Sequence, residues 1–139
     1  RIEQLLDSWN TTIKILEPDN LVIGGKSLGA RTASLIADTA KVRGLICLGY
    51  PFHAPGKEPG PNRLDHLLTL QTPTLICQGT RDALGSLNEV TEYQLSHKIH
   101  LHWIEDGDHG LKPRKISGRT ENQNWEQAND AITKFLNML

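Results

Sequence analysis

The chain has 139 residues, with 15 Lys plus Arg against 16 Asp plus Glu and a net charge of −1. That length suits one domain, and the balanced charge argues against a nucleic-acid binder or a polybasic membrane-surface protein. Hydrophobic residues make up 37%, yet no window approaches the ~20 consecutive apolar residues of a membrane span, so a folded globular chain is expected. The two cysteines, Cys47 and Cys77, lie inside apolar runs. They read as buried free thiols of a cytoplasmic protein rather than as a disulfide framework.

The first predicted element is a helix over residues 1–16, because Ile2, Leu5, Leu6, Trp9, Ile13 and Leu16 recur at offsets of three and four. Pro18-Asp19-Asn20 ends it. Leu21-Val22-Ile23, bounded by Gly24-Gly25, reads as a buried strand, and a helix follows from Leu28. Residues 42–48 read as a second buried strand. Residues 51–63, with four prolines and two glycines, read as a loop, and 64–70 as a short helix. Residues 73–77 give a third strand, opened by a proline where a ladder N–H is dispensable. Ser86 with Glu89 forms a capping box for a helix through Leu95. Residues 99–105 make a fourth strand and 111–123 a polar loop. Asn124 with Gln127 would cap a last helix whose apolar face is Trp125, Ala128, Ile132, Phe135, Leu136 and Leu139. Apolar strands alternating with amphipathic helices predict a single α/β domain over 1–139. Its parallel sheet would carry helices on both faces, with functional groups gathered beyond the carboxyl ends of the strands.

Three chemistry-bearing residues stand just after three of those strands. Gly25-Lys26-Ser27-Leu28-Gly29 is a G-x-S-x-G run at a strand-to-helix turn. Small residues on both sides of Ser27 are expected to let a sharp, strained turn project its hydroxyl. The backbone N–H of Leu28, at the new helix N-terminus, would face an oxyanion. Asp82 follows the third strand in Gly79-Thr80-Arg81-Asp82, and His109 follows the fourth in Gly107-Asp108-His109-Gly110. The order Ser27, Asp82, His109 suits nucleophile, orienting acid and general base. Asp65 is a rival acid, but no strand directly precedes it. Asp106 and Asp108 read as turn formers. Lys26 and His53 are candidates for lining the substrate cleft, which the loop 51–63 and the turn 80–86 should border. Of the histidines in 97–102, His100 and His102 would share a strand face, but two imidazoles fall short of a zinc set, and no metal is assigned. Trp103 and Trp125 read as core. A phosphate-binding loop ending at Gly25-Lys26-Ser27 would need glycine at position 20, where Asn20 stands.

On these runs the chain resembles the α/β-hydrolase family, from its nucleophile strand to its last helix. The runs Gly24-Gly25-Lys26-Ser27-Leu28-Gly29, Gly49-Tyr50-Pro51-Phe52-His53 and Gly107-Asp108-His109 are similar to its dienelactone-hydrolase-like branch. That branch is the one grouped with testis-expressed protein 30 and the third subunit of the NSL acetyltransferase complex. The resemblance implies a compact hydrolase fold without a large lid, while the order Ser27, Asp82, His109 points to a small-molecule acyl substrate (an ester, thioester or similar acyl bond) with no cofactor. It also implies that the chain is the C-terminal part of a longer hydrolase, whose preceding strands and second oxyanion donor are not in it. The first strand would then be an unprotected sheet edge open to pairing with a second copy. A non-catalytic interaction module on the same scaffold is the alternative reading.

Overall fold

The structure, a computed structural model, describes all 139 residues. Four parallel strands lie in the order in which they occur: β1 (Val22–Lys26), β2 (Gly44–Leu48), β3 (Thr74–Gly79) and β4 (Ile99–Ile104). Lys26 pairs in register with Leu48, Leu48 with Cys77, and Cys77 with His102, so the carboxyl ends of the four strands form one rim. The outer edge of β1 and that of β4 pair with no strand.

Two helices cover one face. α1 (Ile2–Ile15) packs on α2 (Leu28–Ala40), which lies on β1 and β2. Ala30, Ala33 and Ala37 put small side chains at offsets of three and four, and all three are fully buried against the sheet. With Ile13, Ile23, Leu45, Cys47 and Ile76 they form the larger core. The Trp9 indole N–H donates to Thr32 Oγ1 at 3.1 Å, which fixes α1 on α2. α4 (Glu121–Met138) covers the other face, where Ala128, Ala131 and Phe135 meet Leu75, Cys77 and Ile104. Fully burying a side chain such as Leu45 or Ile104 contributes roughly 1.5–3 kcal/mol. No helix is long and apolar enough to cross a membrane.

Cys47 and Cys77 sit on neighbouring strands but face opposite cores, and both thiols are free. Burial pushes both thiols up, that of Cys77 to about 11, so neither is a ready thiolate.

Three predicted elements differ. The helix expected through Leu95 is the single turn α3 (Leu87–Val90), although its Ser86–Glu89 capping box forms. The Thr91 hydroxyl donates to the Leu87 carbonyl at 2.8 Å, where the next helical turn would begin. Residues 64–70 hold only a 3₁₀ turn, Asp65–Leu68. The cap of α4 is Thr120 with Gln123 rather than Asn124 with Gln127. The Thr120 hydroxyl accepts the Gln123 N–H at 3.1 Å, and the Gln123 side chain accepts the Thr120 N–H at 2.9 Å. Asn124 is fully buried and donates to Glu105 O at 3.1 Å and Leu111 O at 2.9 Å. Those bonds turn Asn124, Ala128, Ala131 and Phe135 inward, which leaves Trp125 53% exposed instead of in the core. Trp103 is half-buried against the larger core.

Candidate active site

Ser27 links the end of β1 to the first turn of α2 at φ +52°, ψ −116°, a conformation that L-residues rarely adopt. Its backbone N–H continues the ladder to Leu48 O at 3.1 Å, and its C=O accepts the Arg31 N–H at 3.0 Å. Strand and helix are thus locked directly on either side of it. The turn needs glycine on one side only. A Cβ at Gly25 would lie 2.5 Å from the Gly29 carbonyl carbon and 2.8 Å from Ala30 N, whereas a Cβ at Gly29 meets nothing within 4 Å. The expectation that both glycines are sterically required is corrected at Gly29.

The Ser27 side chain makes no helix-capping bond. Its Oγ lies 2.8 Å from His109 Nε2 instead. His109 Nδ1 lies 2.8 Å from Asp82 Oδ2. Asp82 is fully buried, and its other oxygen, Oδ1, accepts the Leu84 N–H at 2.8 Å. An acceptor on Nδ1 fixes the tautomer with the proton there, so Nε2 faces the hydroxyl as a base. Leu28 opens α2, and its amide has no partner one turn earlier in the helix.

The loops that carry acid and base are zipped together. A Cβ at Gly79 would lie 2.2 Å from Gly107 O, and the Arg81 N–H donates to that same carbonyl at 2.9 Å. Asp106, at φ +57°, accepts from Arg114 Nη2 at 2.6 Å, and its carbonyl accepts from Arg81 Nε at 3.0 Å. Hydrogen bonds from Arg114 hold its carboxyl down at about 2. Asp108 closes the turn through Oδ1, which accepts the N–H groups of Gly110 and Lys112, each at 2.9 Å.

Lys26 points toward the α4 face. With Leu48, His109, Trp125, Ala128 and Ile132 it lines an apolar cavity of about 170 Å³. This cavity is bordered by α4, and residues 51–63 and 80–86 contribute nothing to it. The loop 51–63 is drawn back over α2, where Arg31 donates to Pro61 O and Asn62 O. His53 does not reach the cavity. It is buried, with Nδ1 2.8 Å from Ala54 O; Nε2 lies 2.8 Å from Glu89 Oε2 without hydrogen-bond geometry, and both nitrogens face away from Ser27. Trp125 and Gln78 are the neighbours that the sequence reading missed. Gln78 falls one residue past the strand read over 73–77, where no motif marks it.

A match to the alpha/beta hydrolase domain extends over residues 1–137. The chain belongs to the alpha/beta hydrolase family. Three solved structures illustrate the likeness. An alpha-beta serine hydrolase homologue from Coxiella burnetii is 19% identical with a TM-score of 0.65, over 93% of this chain and 57% of that one. The esterase domain of a Rhodothermus marinus protein is 16% identical with a TM-score of 0.59, over 80% and 60%. A serine hydrolase without lid from Xanthomonas campestris is 18% identical with a TM-score of 0.57, over 90% and 54%. At such identities the likeness establishes the hydrolase fold. This chain spans a little more than half the length of these proteins.

Proposed function

We propose that the chain carries the nucleophile, base and acid of a serine hydrolase that cleaves an ester, thioester or similar acyl bond. The observation that carries this reading is the unbroken contact chain from Ser27 Oγ to His109 Nε2 and from His109 Nδ1 to Asp82 Oδ2, 2.8 Å at each step. His109 takes the Ser27 proton as Oγ attacks the acyl carbonyl, and Asp82 stabilises the imidazolium that results. The Leu28 N–H receives the oxyanion. His109 then passes its proton to the leaving group. Water, deprotonated in turn by His109, attacks the acyl-enzyme and releases the acid. Losing one oxyanion donor typically costs roughly 10²–10³-fold in rate, and the Leu28 N–H is assigned a share of that order. Within the family, the runs around Ser27, His53 and His109 favour the dienelactone-hydrolase-like branch. The alternative is a scaffold role in which the unpaired edge of β1 joins a second copy.

A fluorophosphonate probe separates the two. The proposal expects covalent labelling at Ser27, with the rate reduced on the order of 10⁴-fold or more in Ser27→Ala and His109→Ala. A folded protein, supplied as the full natural polypeptide, that resists the probe as wild type refutes catalysis and leaves the scaffold role.

A further inference from the structure

On the reading of Ser27, His109 and Asp82 as a hydrolytic triad, we propose that Gln78 is its positioning residue. Its side-chain amide sets the orientation and the hydrogen-bonding strength of Asp82. Gln78 lies on β3, fully buried, between Cys77 and Gly79. An amide so placed is costly unless every polar atom is paired, and here each one is.

Its Oε1 accepts the Tyr50 N–H at 2.8 Å. That contact fixes which end of the amide is oxygen, because the reversed rotamer would turn the oxygen toward three acceptors. Its Nε2 therefore faces three acceptors with two N–H bonds, Tyr50 O at 3.0 Å, Gly85 O at 3.0 Å and Asp82 Oδ2 at 3.1 Å, so one N–H is shared between two of them. Asp82 Oδ2 is the same oxygen that faces His109. The carboxylate is thus held by three donors: Leu84 N–H on Oδ1, and Gln78 and His109 on Oδ2.

Two consequences follow. With both oxygens pinned, Asp82 cannot rotate, so the imidazole plane and its Nδ1–H direction are fixed before substrate arrives. A second donor on Oδ2 also competes with His109 for that oxygen and moderates its pull on the Nδ1 proton. Through Tyr50 and Gly85 the same amide ties the end of β2 and the turn after Asp82 into one support. Gln78 touches no reacting atom.

The test follows the downfield proton resonance of His109 Nδ1–H by NMR, together with the rate of fluorophosphonate labelling. In Gln78→Met, which keeps the volume and removes the donor, that resonance moves further downfield. Labelling per folded molecule falls by up to about 10²-fold, the order that a misplacement of ~1 Å costs. Ile76→Val, a core change on the same strand, destabilises without touching the amide and leaves the resonance in place. Gln78→Glu retains the acceptor for Tyr50 N–H and secures the fold if the methionine variant does not form. It sets a second carboxyl against Asp82, so the His109 resonance gains a pH step that wild type lacks. A folded Gln78→Met with the wild-type resonance and labelling rate, or a Gln78→Glu without the added step, overturns the assignment. The resonance needs no turnover, so an unlabelled wild type would remove the hydrolase reading while the NMR arms still judge Gln78.

Discussion

Replacing Ser27 with alanine and with glycine separates backbone strain from chemistry. At φ +52°, ψ −116° a side chain costs on the order of 1–3 kcal/mol, and alanine pays the same cost as serine. Glycine escapes it but loses roughly 0.5–1 kcal/mol more chain entropy on folding. Both variants lose the contact with His109, and Ser27 makes no capping bond, so these effects cancel between them. Ser27→Gly should therefore be more stable than Ser27→Ala by about 0.5–2 kcal/mol. At roughly 4 °C per kcal/mol for a domain of this size, that is about 2–8 °C in Tm. Urea denaturation followed by circular dichroism measures the difference, and neither variant should take up a fluorophosphonate. An alanine variant at least as stable as the glycine one would mean that the turn is unstrained, and the argument for a forced presentation of the hydroxyl would fail.

The two glycines of the motif should behave oppositely. Gly25→Ala drives a methyl into the backbone of Gly29 and Ala30 and should cost about 1–3 kcal/mol or more, whereas Gly29→Ala meets open space in a helix and should gain roughly 0.5–1 kcal/mol in urea melts. Equal losses at both positions would contradict the geometry. A third prediction concerns acid. Burial, helped by Arg31, lowers His66 to about 4, and Ser34 Oγ sits 2.8 Å from its Nε2. As pH falls, the unfolded chain takes up this proton near pH 6.5 while the folded one resists it to about 4, so the stabilisation present above pH 6.5 is lost across that window. His66→Gln should remove one proton from the slope of stability against pH between 6.5 and 4, read from urea midpoints. An unchanged slope would place the ring in solvent.

β1, β2 and β3 were legible as short apolar runs next to glycine or proline, and β4 as apolar residues alternating with His100 and His102. The G-x-S-x-G run was legible because its strand-turn-helix setting is local. That Ser27, Asp82 and His109 converge is a property of the register, since Lys26, Leu48, Cys77 and His102 align across the sheet. Single-residue signals near the end of the chain misled. Asn124 and Gln127 fit a cap pattern as well as Thr120 and Gln123 do. The choice between them is made by the buried bonds of Asn124 to Glu105 and Leu111, which no local rule contains. The same shift sent Trp125 outward. His53 looked like a cleft residue by its place after β2, and only its partners Ala54 and Glu89 show it turned away. Gln78 was passed over because a lone amide in a strand has no motif; its role depends on four groups brought from Tyr50, Asp82 and Gly85.

The seam between Gly79 and Gly107 makes the segments 79–82 and 106–109 a single mechanical unit, while Ser27 belongs to another. Wear in evolution or in a laboratory library would therefore be felt unevenly. Grafting a foreign loop after β3 or β4 alone would break both at once, so a recombination scheme should exchange them as a cassette. The turn bearing the hydroxyl lies outside that cassette, with Gly25 and Ser27 held fixed.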